Sequence, residues 1–154
     1  MEIKTLIDNL RNKNLRIAVA ESFTGGGVAS EFVSVSGASD VFAVGLVCYA
    51  ELAKEQLLGV KRQTLDTFGA VSEQTIVEML NGLKELGLGH IMLATSGNAG
   101  PTAEKADEVG VFYLGVMYGD KKIVRRYKTS GNRADVIRIG IQESLDLIAE
   151  IISK

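Results

Sequence analysis

At 154 residues the chain has the length of one globular domain, 1–154, without room for a second core. Seventeen Lys and Arg against nineteen Asp and Glu leave a formal charge of −2, too near balance for a partner held mainly by long-range charge, such as duplex nucleic acid or an anionic membrane surface. An apolar fraction of 46% and a charged fraction of 23% exclude the disordered and fibrous classes.

Ile3, Leu6, Ile7 and Leu10 recur at helical spacing among Glu2, Lys4, Asp8 and Asn9, which predicts an opening amphipathic helix rather than the basic start and apolar centre of a signal peptide. Leu15 to Ala20 reads as a buried strand that stops at Glu21. Ser22-Phe23-Thr24-Gly25-Gly26-Gly27 then makes a tight turn, after which Val28, Ala29, Phe32 and Val33 resume helical spacing up to Ser36-Gly37. Val41 to Ala50 reads as a second buried strand; it has about half the length needed to cross a bilayer and is bounded by Asp40 and Glu51. Glu51 to Leu58 predicts a helix closed by Gly59 in the left-handed conformation, and Val60 to Phe68 a further short helix.

Ser72 is a good N-cap with Glu73 in the first turn, ahead of a helix whose apolar face is Ile76, Val77, Met79, Leu80 and Leu83 and which Gly87 and Gly89 end. His90 to Thr95 predicts a third strand, and Ser96 to Glu108 a polar loop holding the only proline, Pro101. Val109 to Met117 and Ile123 to Tyr127 flank Gly119-Asp120 as an antiparallel hairpin. Gly131-Asn132 precedes a long final helix with a stripe of Val136, Ile137, Ile141, Leu145, Ile148 and Ile152. The order predicts an α/β domain with helices on both faces of a mixed sheet.

The single cysteine, Cys48, and the single histidine, His90, cannot make a disulfide framework or a Cys/His metal site, so no metal is expected and a reducing, cytoplasmic setting fits. Open α/β sheets bind ligands beyond the C-terminal ends of their strands, which singles out Ala20 to Gly27, Tyr49 to Lys54 and Thr95 to Lys105. The first segment places Ser22 on a sharp turn, with Thr24, Gly25 and Gly26 offering backbone N–H groups to a phosphate or an oxyanion; alternatively Ser22 or Thr24 simply caps the next helix. Lys54, in the first turn of a helix and partly desolvated, would favour the neutral amine that accepts a proton, or is a solvated surface lysine. Paired with Ser22, it would form a Ser-Lys nucleophile that needs no histidine. His90 is discounted as a base, and the basic residues Lys121, Lys122, Arg125, Arg126 and Lys128 read as a solvated strand face, not a nucleic-acid site.

Five motifs in order, Ala20-Glu21-Ser22-Phe23-Thr24-Gly25-Gly26, Gly45-Leu46-Val47-Cys48-Tyr49 with Ala53-Lys54 and Leu58-Gly59-Val60, Gly69-Ala70-Val71-Ser72-Glu73, Ser96-Gly97-Asn98-Ala99-Gly100-Pro101 and Val109-Gly110, resemble the CinA C-terminal-domain family from about Leu15 to Arg138. The resemblance implies a three-layer α/β/α fold with a mixed, mostly parallel sheet and one antiparallel hairpin. It also implies hydrolysis of nicotinamide mononucleotide to nicotinate mononucleotide and ammonia, in pyridine nucleotide recycling, by a Ser-Lys mechanism without metal or organic cofactor. Carried over by motif, the catalytic residues are Ser22, Lys54 and Tyr49. Thr24, Gly25 and Gly26 would hold the oxyanion, Ser96, Gly97, Asn98, Ala99 and Gly100 would wall the nucleotide, and Arg133, in a position matching a Gly-Asp-Arg motif, would meet the phosphate or lie solvated.

Some positions depart from the family. Phe23 stands where a cysteine is usual, and Tyr49-Ala50-Glu51-Leu52-Ala53-Lys54 replaces Tyr-Ser-Asn-Glu-Ala-Lys, setting Glu51 where it would favour a charged Lys54. The loop after Pro101 lacks glycines before Val109 and carries Glu104, Asp107 and Glu108, which oppose a phosphate. The functional alternatives are therefore a working amidohydrolase on the nucleotide, a binding or regulatory relative without turnover, and a hydrolase of a different small amide. The expected partner is a small-molecule nucleotide. The apolar surplus and the final helix leave room for a homo-oligomer contact.

Overall fold

A computed structural model describes residues Met1–Lys154. Five strands, β1 (Ile17–Glu21), β2 (Phe42–Val47), β3 (Ile91–Gly97), β4 (Val111–Tyr118) and β5 (Lys121–Lys128), form one sheet in the order β2-β1-β3-β4-β5. β1 runs parallel to β2 and β3, whereas β4 is antiparallel to β3 and β5, so four of the five strands point the same way. Six helices cover it: α1 (Ile3–Asn12), α2 (Gly27–Val33), α3 (Glu51–Leu58), α4 (Arg62–Phe68), α5 (Glu73–Leu86) and α6 (Arg133–Ser153).

The alternation of side chains along the strands divides the core into two. Ile17 and Val19 of β1, Ile91 and Leu93 of β3, and Phe112 and Leu114 of β4 pack with Leu6, Ile7, Phe32, Val136 and Ile148 from α1, α2 and α6. The residues between them, Ala18, Ala20, Met92, Ala94 and Met117, pack with Leu58, Leu65, Ile76, Met79 and Leu80 from α3, α4 and α5. The result is the three-layer α/β/α architecture. The chain leaves β1 through α2 toward one edge and reaches β3 on the other side of β1 through α3, α4 and α5, which makes the C-terminal end of β1 the point where the winding reverses.

Three expectations change. Val41 to Ala50 is not a buried strand: β2 lies at the sheet edge, most of it is half-buried, and Val47 is 51% exposed. The third strand runs two residues past Thr95, because Ser96 and Gly97 stay paired with Tyr113 and Phe112, so the polar loop starts only at Asn98 and contains a short 3-10 turn at Ala106–Glu108. Gly97 is required inside that strand, where a Cβ would overlap the backbone side of Phe112 and approach the Phe23 ring. α2 ends at Val33, and a separate 3-10 turn, Ala38–Asp40, leads into β2.

Candidate active site

The pleat of β1 continues past its last ladder residue and sorts the next side chains. Val19, Glu21 and Phe23 fall on the α2 and α6 side, whereas Ala20 and Ser22 fall on the α3 side. Ser22 therefore faces Lys54, one turn into α3. Lys54 is 1% exposed, and its Nζ lies 3.0 Å from Ser22 Oγ, 2.8 Å from the Cys48 carbonyl oxygen and 3.1 Å from that of Tyr49. A neutral amine has two N–H groups and one lone pair. In that form the two carbonyls would accept the two hydrogens, and the lone pair would face the Ser22 hydroxyl.

The electrostatics act in the same direction. Burial pushes the Lys54 pKa below its ordinary 10.5, with smaller opposing contributions from Cys48 and Glu51. Burial also pushes the Cys48 thiol up, so at neutral pH it is uncharged and its contribution disappears. Glu51 is turned away to an ion pair with Arg62, Nη2 to Oε2 at 2.8 Å.

Neither Ser22 nor Thr24 caps α2. The N-cap is Gly26, left-handed at φ 94°, without a side-chain acceptor, and the carboxylate of Glu21 receives the Val28 and Ala29 N–H groups at 2.8 and 3.0 Å. Thr24 Oγ1 shares a 2.8 Å hydrogen bond with Thr95 Oγ1, which also accepts from Ser22 N–H at 3.2 Å. Glu21 and Thr95 were not among the expected site residues. Thr95 could have been found by aligning the ends of neighbouring parallel strands; Glu21 carried no local signal, since its partners lie seven residues on.

In the glycine turn, Gly25 N–H is bound to the Ser22 carbonyl and Gly27 N–H to that of Thr24, whereas the N–H groups of Phe23, Thr24 and Gly26 have no acceptor within the protein. These three are the unpaired backbone donors of the turn, and Gly25, expected among them, is not one. The Phe23 ring is buried 5.1 Å from that of Phe112 and lies against Gly140 of α6, where a Cβ would overlap it.

The other expected residues divide. Tyr49 is 60% exposed, and its phenol meets Arg133 rather than the Ser22–Lys54 pair; only its backbone carbonyl touches Lys54. Arg133, the first residue of α6, donates to the Gly100 carbonyl at 2.7 Å and to Tyr49 Oη at 3.0 Å, and neither partner is a carboxylate. Arg133, Tyr49 and Gly100 thus join three segments at the strand ends. Ser96 is buried with its hydroxyl on the Ala70 carbonyl at 2.7 Å, and Ala99 is buried in the core, so of the expected wall Asn98 alone lines the neighbouring cleft. His90 is remote from this end of the sheet, with Nδ1 accepting from Arg16 N–H.

That cleft, about 730 Å³, lies between α4, the start of α5 and the loop after β3. Glu51, Asp66, Glu104 and Glu108 line it against Arg62 and Lys105, while Asp107 does not. Arg62 is already surrounded by Glu51, Glu55 and Asp66. The cleft is acidic; neither Ser22 nor Lys54 lines it, and Glu51, one turn before Lys54, is the α3 residue that does. No group of three His, Cys, Asp or Glu is placed to hold a metal ion, and no helix is long and apolar enough to cross a membrane.

Comparison with known proteins gives a consistent set of relatives. The family model described as CinA C-terminal domain matches residues 2–152. A CinA-like protein of Kosmotoga olearia is 40% identical over 144 residues, 93% of this chain and 35% of that protein, so the chain spans about a third of the length of the curated relatives it matches. A crystal structure of a competence-damaged protein (CinA) superfamily protein from Klebsiella pneumoniae superposes with a TM-score of 0.93 at 26% identity, covering 99% of this chain and 96% of that one. One from Enterobacter cloacae gives 0.90 at 34% identity, covering 96% and 89%.

Proposed function

The chain belongs to the CinA C-terminal-domain family, and from that premise we propose that it is an amidohydrolase that converts nicotinamide mononucleotide to nicotinate mononucleotide and ammonia. The observation that carries the reading is the contact between Lys54 Nζ and Ser22 Oγ at 3.0 Å, with the remaining amine hydrogens directed to two carbonyls. Neutral Lys54 takes the Ser22 proton as Oγ attacks the carboxamide carbon, and the carbonyl electrons move to oxygen. The N–H groups of Phe23, Thr24 and Gly26 stabilise that charge. Collapse breaks the C–N bond, and the lysine proton leaves with ammonia. Water, deprotonated by the same amine, then attacks the acyl carbon, the bond to Ser22 Oγ breaks, the lysine proton returns to that oxygen, and the carboxylate is released. Lys54 rather than Tyr49 serves the leaving group, because the phenol is engaged by Arg133. Arg133 is the group for the substrate phosphate.

Rapid quenching of wild-type protein with nicotinamide mononucleotide, followed by peptide mass analysis, tests the covalent route. A nicotinate nucleotide ester on Ser22 is expected; product formed with no ester at Ser22 under conditions that slow deacylation overturns it.

A second reading, hydrolysis of a small amide lacking a phosphate, is favoured by the carboxylates of Glu51, Asp66, Glu104 and Glu108 in the cleft. Competition between nicotinamide mononucleotide and the phosphate-free nicotinamide riboside separates the two.

A further inference from the structure

The turn that carries Ser22 is closed around a carboxylate with no part in the chemistry above. Glu21 is 1% exposed, and both of its oxygens are used on consecutive backbone N–H groups of α2, those of Val28 and Ala29. The five residues between, Ser22 to Gly26, are looped over this link. Two internal hydrogen bonds, Gly25 N–H to the Ser22 carbonyl and Gly27 N–H to that of Thr24, and the left-handed Gly25 and Gly26 shape the loop. Phe23 fastens it to α6 and Thr24 to β3. If the turn relaxed, the carboxylate would be left buried without donors, which is strongly disfavoured. If Glu21 were absent, α2 would lose its cap and the loop its closing link.

The link also decides where negative charge can be held. The first N–H groups of α2 and its dipole are directed at Glu21, so they are not offered to a substrate. The turn's own free N–H groups remain.

We infer that Glu21 is the positioning residue of the nucleophile: it holds the Ser22–Gly26 turn in the conformation in which Oγ of Ser22 meets Nζ of Lys54 and the N–H groups of Phe23, Thr24 and Gly26 stay open to the oxyanion. This rests on the Ser-Lys reading but not on the identity of the amide.

The test uses a fluorophosphonate, which reports serine reactivity without any substrate. Ser22 Oγ attacks phosphorus, the P–O bond forms as P–F breaks, fluoride leaves, and the serine proton passes to Lys54. Labelling rates are measured for wild type, Glu21→Ala and Glu21→Gln beside circular dichroism and thermal unfolding. Glu21→Ala, still folded, should be labelled on the order of a hundredfold more slowly, and sodium formate, but not sodium chloride, should restore part of the rate by occupying the vacated N–H groups. Glu21→Gln keeps the shape and one acceptor and should be intermediate; it carries the test if Glu21→Ala does not fold. A wild-type labelling rate in a folded Glu21 variant overturns the inference. So does a slowed rate that follows only the unfolded fraction and ignores formate. Wild type that is labelled but does not hydrolyse nicotinamide mononucleotide refutes the proposed substrate and leaves Glu21 in place. Folded wild type that is not labelled refutes the Ser-Lys pair and the role of Glu21 with it.

Discussion

Two helices begin beside the same strand ends, and they begin differently. α6 is capped by its immediate neighbours: Asn132 accepts from Asp135 N–H at 2.9 Å, and Asp135 Oδ2 accepts from Asn132 N–H at 3.1 Å. That reciprocal box is a local device that stabilises the helix and is compatible with any turn before it. α2 is capped from across a loop by Glu21, and the residues looped out include the nucleophile. One cap serves stability and the other conformation. Changes to the Glu21 cap of α2 should therefore affect chemistry more than folding, and changes to the Asn132–Asp135 cap of α6 the reverse.

The largest effects should come from the nucleophile turn before α2 and the lysine it meets. Ser22→Ala and Lys54→Met should each lower turnover by about a thousandfold or more, measured by ammonia assay, and Ser22→Ala should leave the unfolding midpoint near that of wild type, measured by calorimetry. Lys54→Met should raise the midpoint at neutral pH, since it removes a buried amine. The sign follows from the depressed lysine pKa: between its folded value and the ordinary 10.5 the unfolded chain binds more protons, so wild-type stability rises with pH across that window. Turnover should likewise rise with pH as Lys54 loses its proton, with a midpoint below 10.5. A rate independent of pH in that range contradicts a lysine base.

Next in size is Gly140→Ala, whose Cβ would overlap the Phe23 ring. Overpacking of this kind costs about 1–3 kcal/mol. Here the two helices meet, so turnover should fall as well, and in a Phe23→Cys background the penalty should shrink. Equal penalties in both backgrounds would show that the ring does not couple α6 to the nucleophile turn. Asn132→Ala should cost about 1 kcal/mol of stability by denaturant titration and leave Ser22 labelling unchanged. A slowed labelling rate there would erase the distinction between the two caps.

The smallest effect is expected at the far end of α6. Arg125 and Lys154 hold the Glu150 carboxyl well below its ordinary 4.5, at about 2. A depressed carboxyl contributes stability that is present above its ordinary pKa and lost as the pH falls toward the lower value. Glu150→Gln should therefore lower the unfolding midpoint slightly at pH 7 and not at all below about pH 2. Because the group is exposed, added salt should weaken the effect.

The same contrast explains what could be read from the sequence. The start of α6 was legible because Asn132 and the apolar stripe lie within a few residues of one another, and so were the left-handed Gly59 closing α3 and the Ser72 cap of α5, whose side chain accepts from Thr75 N–H. Ser22 and Lys54 were legible as a pair only through motif resemblance and the expectation that neighbouring parallel strands bring their loops together. Glu21 was not, because its role depends on a loop folding back over seven residues. Nor was the exposure of β2, since valine-rich strands read as buried until the sheet order places one at the edge. Ser96 read as loop because hydroxyls and glycines suggest one, yet pairing with Tyr113 keeps it in the strand. The joining of Arg133 to Tyr49 is a long-range contact that no spacing rule contains.

The most direct measurement is ammonia release from nicotinamide mononucleotide by folded wild-type protein, with Ser22→Ala in parallel. Wild type should release ammonia, and the variant none above background. Equal release by both, or none from folded wild type, would contradict the proposed function.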